Sequence, residues 1–193
     1  MSSFYSEDEL QAIGFESFGQ RVQISRKASI YNPRRIRIGS NVRIDDFCIL
    51  SSGEGGIRLG SYVHVAAYCQ LVGRDAIILN DFSGLSARVS IFSSSDDYSG
   101  KSLTNPTVPP AYTGVKHGKV EFGRHTIVGA GAVVLPGVTC GDGVAIGSLS
   151  LVNRSCESFG IYAGTPARKL GERFRDLLAL ERQLLDDAAE RGR

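Results

Sequence analysis

From Phe122 onward the chain places an apolar residue at every sixth position: Phe122, Val128, Val134, Cys140, Ile146 and Val152. A second, smaller or β-branched residue follows four places after each: Thr126, Ala132, Val138, Val144, Ser150 and Cys156. A period of six is neither the 3.6-residue repeat of a helix face nor a plain two-residue alternation. It describes a short strand and a tight corner, a unit too small to bury its own apolar face. Stacking unit on unit puts the first residue of each hexad in a central column, with the small fifth residue beside it. Glycine at the second position, as in Gly123, Gly129, Gly141 and Gly147, is expected to tolerate the corner conformation.

The register runs backwards through Ile91, Leu85, Leu79, Val65, Leu59, Ile44, Ile38, Ile24 and Phe18. Its phase slips by small insertions around Asn32-Pro33, Glu54-Gly55-Gly56 and Arg74-Asp75. One slip is long. Ile91 and Phe122 are 31 residues apart; two hexads account for 12 and leave 19, roughly Asp97 to Val115. The pattern predicts triangular coils of about 18 residues, three hexads each, with one protruding loop.

The ends follow a different rhythm. Ser6-Glu7-Asp8-Glu9 before Leu10 and Ile13 is a capping-box pattern and predicts a short helix within 1–14. After Pro166, apolar residues recur at Leu170, Phe174, Leu177, Leu178, Leu184 and Ala188 with charge between them. That spacing predicts an amphipathic helix over 169–193, packed on the open coil end or on a neighbouring subunit. The organisation read from the sequence is therefore a helical segment 1–14, a β-helix over 15–168 with a loop insertion at 97–115, and a C-terminal helix.

Composition narrows the function classes. Glycine, 23 of 193 residues, is in excess, as corners require, and 42% hydrophobic residues suffice for a sizeable core. A net charge of +2 is too small for a sequence-blind nucleic-acid binder. No apolar run spans a membrane and the polar N-terminus carries no secretory pattern, so a soluble cytoplasmic protein is expected.

Candidate chemistry is sparse. Cys48, Cys69 and Cys156 occupy fifth positions and Cys140 a first position, where cysteine acts as a small apolar filler, and no Cys/His ligand spacing occurs. Of the three histidines, His64 sits at a sixth position and His125 at a fourth, both facing outward, while His117 lies where the long loop rejoins the coil. No carboxylate completes a metal set with them, so no metal is expected. Gly129-Ala130-Gly131 lacks a strand-turn-helix context, which excludes a phosphate loop.

The segment Ile161-Tyr-Ala-Gly164-Thr-Pro166-Ala-Arg168, with the hexads and the protruding loop, resembles the hexapeptide-repeat acetyltransferases. It is closest to their branch that acetylates sugars from acetyl-CoA, over essentially the whole chain from about residue 15. Ile24-Ser-Arg-Lys-Ala-Ser-Ile-Tyr31, Asn41-Val-Arg-Ile-Asp-Asp-Phe-Cys-Ile-Leu-Ser51, Phe82-Ser-Gly-Leu-Ser86 and Ser94-Ser-Asp-Asp-Tyr-Ser-Gly100 are similar to N-acetyltransferases of dTDP-4-amino-4,6-dideoxyglucose. The resemblance implies an all-β, left-handed parallel β-helix; a homotrimer with sites between prisms; and a role in O-antigen or lipopolysaccharide biosynthesis. It implies acetyl-CoA lying along Ala130 and Ser148, with Asn153 and Arg154 extending the groove and Pro166 and Arg168 flanking the adenine and its phosphates. Galactoside-type relatives place a histidine base at the sixth position before the long loop. Here that position is Asp96, followed by Asp97 and Tyr98 as expected substrate contacts. A carboxylate can serve an ammonium, whereas a hydroxyl usually demands an imidazole. The exchange favours an amine acceptor, with His64 and His117 as further candidate bases. O-acetylation of a sugar or glycan hydroxyl is the alternative. A third reading, a non-catalytic or carbonic-anhydrase-like β-helix, lacks the three zinc histidines at the required spacing.

Overall fold

The computed structural model of the chain describes residues 3–191. The hexads build a three-walled prism. Wall 1 runs from Ser17–Phe18 through Ile36–Ile38, Ile57–Leu59, Ile77–Leu79 and Val120–Phe122 to Thr139–Cys140. Wall 2 runs from Gln23–Ile24 through Arg43–Ile44, His64–Val65, Gly84–Leu85, Ile127–Val128 and Ala145–Ile146 to Gly160–Gly164. Wall 3 stacks Ser29–Tyr31, Ile49–Ser52, Gln70–Gly73, Ser90–Phe92, Val133–Val134 and Leu151–Val152. Strands within each wall pair in parallel, coil on coil, so each strand hydrogen-bonds to chain about one turn away in sequence.

The register explains the core. First-position residues such as Ile44, Leu79, Ile91, Phe122 and Val134 are fully buried, and so are fifth-position Val42, Cys69, Val89 and Ala132. Where the fifth residue is polar, its hydroxyl is satisfied by a corner carbonyl: Thr126 Oγ1 donates to Gly123 O (2.8 Å) and Ser150 Oγ to Gly147 O (2.7 Å). Ile91→Val removes one methylene from this column and should cost about 0.5–1.5 kcal/mol, read as a lower denaturant midpoint with unchanged slope.

The corners depart from the expectation for glycine. The left-handed residue is the fourth of the hexad, not the second: Asn41, Phe47, Tyr62, Tyr68, Phe82, Arg88, His125 and Leu149 all have φ between 57° and 64°. Glycine at the second position answers a different need. A Cβ on Gly129 would lie 2.5 Å from Ser148 N in the next coil, too close for any side chain. Successive coils sit one strand spacing apart, about 4.8 Å, so fourth-position rings fall into stacks. Tyr62 and Phe82 lie 4.7 Å apart, Phe82 and His125 4.9 Å, and Phe47 and Tyr68 5.0 Å.

The long excursion leaves wall 3 after Ser90–Phe92 and returns to wall 1 at Val120–Phe122. These walls are neighbours, so one hexad step is interrupted rather than two, and the excursion adds 25 residues to a step of six. Its base is closed by antiparallel pairing of Ser94–Ser95 with Lys116–His117, and Leu103 bridges Thr113 further out.

At the N-terminus the capping box forms: Ser6 Oγ accepts from Glu9 N and Glu9 Oε2 from Ser6 N, opening α1 (Glu7–Ile13), which Gly14 closes. The C-terminus differs from its helical reading. Gly160–Gly164 and Ala167–Glu172 pair as an antiparallel hairpin, and α2 begins only at Leu177 (Leu177–Arg191). Gly160–Gly164 is the last parallel strand and would leave an open edge; folding the chain back at Thr165-Pro166 supplies its hydrogen bonds. Leu170 and Phe174, at helical spacing in the sequence, are left exposed. The start of α2 is held against the prism by Glu181, which pairs with Arg124 and with His125 Nε2 (2.7 Å). Arg173 donates to His125 O (2.7 Å) and lies near Gly143 O.

Candidate active site

The corner between walls 3 and 1 carries the excursion, and beneath it opens a cavity of about 770 Å³. Asp96, Ser94, Ser95, Arg74 and His117 form its polar side, and Val72, Val108, Pro110 and Val115 its apolar side. The hairpin at the base of the loop produces this grouping. It sets Ser94 opposite His117 in register, and Ser94 Oγ hydrogen-bonds His117 Nδ1 at 2.8 Å. Asp96 follows directly at the rim. The cavity thus combines one carboxylate, one imidazole and an arginine with a greasy wall, a setting for a ligand that carries a polar reacting group on a partly apolar body.

Other candidates lie elsewhere. His64 is on wall 2, with Nε2 2.8 Å from Asp45 Oδ2, beside Arg43, Asn41 and Tyr62, and does not join Asp96 within one chain. Burial alone would raise the Asp45 carboxyl, but hydrogen bonds from Arg43 and His64 outweigh it and hold it below its ordinary value. His125 is taken up in the ring stack and in docking α2. Asp97 turns away into its own loop: its carboxylate accepts from Ser99 N (3.0 Å) and Ser99 Oγ (2.8 Å), which lowers its pKa. Tyr98 is 93% exposed, and neither it nor Asp97 lines the cavity.

The residues expected along the donor divide into two groups. Ala130 and Ser148 are exposed at the corner between walls 2 and 3, in adjacent coils joined by Leu149 N to Ala130 O (2.9 Å). The turn holding Pro166 continues that corner, since Thr165 Oγ1 donates to Leu149 O (3.2 Å). Asn153, Arg154 and Arg168 instead share a smaller cleft of about 230 Å³ across wall 3, between the last corner and the terminal hairpin. The edge with Ala130 and Ser148 offers small residues and outward backbone groups, which suit an extended thioester arm. The cleft offers two guanidiniums, which suit phosphate.

The four cysteines are buried and unbridged. Hydrogen bonding to Cys156 and burial push the Cys140 thiol upward, so it is no nucleophile. Among the described residues no three His, Cys, Asp or Glu side chains come together as a metal set. No helix there is long and apolar enough to cross a membrane.

A parallel β-helix with a small-residue edge, a cationic cleft and a cavity holding one carboxylate fits the class that the sequence resembles, the CoA-dependent acyltransferases of the hexapeptide type. No family model matches the sequence. The chain is 46% identical over 179 residues, 93% of each protein, to a dTDP-4-amino-4,6-dideoxy-D-glucose acyltransferase of Escherichia coli. Among solved structures it is similar to AntD, an N-acyltransferase from Bacillus cereus, in complex with dTDP and 3-hydroxybutyryl-CoA. That likeness has a TM-score of 0.94 at 47% identity over 98% of this chain and 100% of that one. An AntD variant with dTDP-4-amino-4,6-dideoxyglucose and coenzyme A also matches at TM-score 0.94 and 47% identity, over 97% and 100% of the chains. The chain belongs to the hexapeptide-repeat sugar acyltransferases.

Proposed function

We propose that this chain transfers the acyl group of an acyl-CoA, acetyl-CoA in the simplest case, to the amino group of a dTDP-linked 4-amino-4,6-dideoxyglucose. The observation that carries this reading is Asp96 at the rim of a roofed cavity, in a chain nearly half identical to enzymes of that class. In the reaction the free amine attacks the thioester carbonyl carbon, the C–N bond forms and the C–S bond breaks. The proton lost from nitrogen passes to the Asp96 carboxylate, and coenzyme A leaves as the thiolate, which is then protonated. The apolar flank formed by Val72, Val108 and Val115 suits the methyl group of a 6-deoxy sugar.

Two further features belong to the same reading. Asp96 and Ala130 lie at opposite edges of wall 3, roughly 10–15 Å apart at 3.3 Å per extended residue. One chain therefore does not bring donor and base together. A second copy set against the first closes the gap, and a homotrimer with three equivalent sites satisfies this by symmetry. Exposed Leu180, Leu184 and Leu185 on α2 offer apolar surface for such packing. The enzyme works in the cytoplasm, where acyl-CoA and nucleotide sugars are made, and its product serves surface-polysaccharide assembly.

The test is coenzyme A release with a panel of dTDP- and UDP-linked amino sugars, with product analysis by mass spectrometry. Acylation of the dTDP-4-amino sugar in preference to the others is expected. An ester product, or turnover only of sugars without an amine, would overturn the N-acyl reading in favour of O-acylation with His117 as base.

A further inference from the structure

The hairpin at the base of the excursion carries a hydroxyl whose proton has one destination. Ser94 Oγ accepts a hydrogen bond from the backbone N–H of Arg74 (2.8 Å), one coil below. Its other contact is with His117 Nδ1 (2.8 Å), and among the described residues it has no third. A serine hydroxyl has a single proton to donate. The Arg74 N–H is itself a donor and cannot receive it, so the proton goes to His117 Nδ1. An imidazole nitrogen that accepts is unprotonated, which puts the ring's own proton on Nε2. The hydrogen-bond partners thus assign the tautomer.

The second ring nitrogen is the one left for a ligand. His117 lines the cavity beneath the excursion, and its Nε2 has no partner among the described residues. In this tautomer Nε2 is a donor and has no lone pair with which to take a proton. Taking one on Nδ1 instead would displace the Ser94 hydroxyl.

The register sets what Nε2 meets. Ser94 and His117 stand directly opposite in the antiparallel pairing, and Asp96 lies two residues beyond Ser94. Side chains two residues apart on an extended chain face the same side, and all three residues line the cavity. A diagonal pair of this kind has Cα atoms about 7–8 Å apart, which lets two side chains bracket neighbouring groups of one small ring. In a 4-amino-4,6-dideoxyhexose the carbon bearing the amine has two unlike neighbours. One, C3, carries a hydroxyl, and the other, C5, carries the methyl group.

We propose that Ser94 is a positioning residue: it holds His117 with its proton on Nε2, so that His117 donates a hydrogen bond to the acceptor's 3-hydroxyl oxygen and does not act as a base. This rests on the 4-amino sugar reading above and adds how the sugar is oriented. With O3 held at His117 and the methyl group on the apolar flank, the amine between them turns to Asp96, which takes its proton. Two titratable groups in one cavity then have separate tasks, and the link from Arg74 N–H through Ser94 keeps them apart.

The experiment measures steady-state kinetics of the full-length protein with dTDP-4-amino-4,6-dideoxyglucose and with its 3-deoxy analogue, for wild type, Ser94→Ala, Ser94→Thr and His117→Gln. Ser94→Ala should raise the acceptor KM roughly five- to tenfold, the loss of one oriented hydrogen bond, with kcat within about threefold of wild type. Ser94→Thr keeps a hydroxyl and should restore the KM. Glutamine carries an amide donor near the place of Nε2 but no basic nitrogen, so His117→Gln should keep kcat within about tenfold. Wild type on the 3-deoxy analogue should show the raised KM, and Ser94→Ala should raise it no further. Should Ser94→Ala also lose coenzyme A affinity, its fold is disturbed and wild type on the two acceptors decides, an unchanged KM overturning the proposal. A His117→Gln whose kcat falls roughly 100-fold or more makes the imidazole the base, and an acyl adduct on Ser94 by intact-protein mass spectrometry makes the serine a nucleophile; either overturns it. Equal KM values for wild type and Ser94→Ala, in an enzyme that acylates the dTDP amino sugar, defeat the positioning role and leave the function standing. A wild type that does not acylate this sugar overturns the functional reading and the positioning role with it.

Discussion

Asp96→Asn lowers kcat at least 100-fold and leaves coenzyme A affinity unchanged. The loop hairpin sets Asp96 at the rim of the cavity beneath the excursion, with no other carboxylate lining that space. A general base is worth roughly 10²–10⁴ in rate, and asparagine keeps the shape while removing the proton acceptor. The edge with Ala130 and Ser148, where we propose that the acyl donor lies, is across wall 3, so donor binding is not expected to depend on this side chain. In wild type, kcat/KM rises with pH as the acceptor's ammonium deprotonates, because only the free amine is nucleophilic. In the variant the same ionisation of substrate persists at a lower plateau, which separates lost base catalysis from a changed acceptor. His117→Asn is the control. Its Nδ1 already engages Ser94 Oγ, so this change should alter the acceptor KM more than kcat. A nearly fully active Asp96→Asn beside a dead His117→Asn would transfer the base to the imidazole.

The features legible in the sequence were those governed by local repetition. The first and fifth positions of the hexads predicted most of the buried column because each hexad repeats one burial problem; in the first coil Phe18, Val22 and Ala28 are only partly buried. Ser6 and Glu9 announced α1 because capping is settled within four residues. Counting from Ile91 placed Asp96 beside the loop, but the burial register already breaks after Ile91: third-position Ser93 is fully buried and fifth-position Ser95 only half-buried. What stayed hidden depends on contacts between coils. Gly129 looked like a corner residue, yet its small size is set by Ser148, 19 places later. Leu170 and Phe174 have helical spacing, but an unpaired strand edge from 160–164 drew the chain into a hairpin. His64 and His117 were equal candidates until the walls separated them. Asp97 was a substrate candidate by adjacency alone, whereas the chain turns its carboxylate onto Ser99.

Ser148→Trp should weaken coenzyme A binding at least 100-fold without unfolding the prism. Ser148 is an exposed third-position residue at the corner between walls 2 and 3, one coil above Ala130, so an indole there extends outward over the groove rather than into the core. Asp96→Asn and Ser148→Trp then disable opposite halves of one site, and in a chain acting alone no mixture of the two could recover. If the site lies between copies, mixed trimers can. Each mixed trimer contains one interface where an intact Asp96 from the Ser148→Trp copy faces an intact donor edge from the Asp96→Asn copy. Three quarters of randomly assembled trimers are mixed and one site in three is restored in each, so activity returns to about a quarter of wild type. Co-expression of the two variants with separate tags measures this directly, and purification of the mixed species raises the expected activity to about a third of wild type. Activity that stays at the level of the parents would confine the site to one chain and place the acyl donor on another edge of the prism.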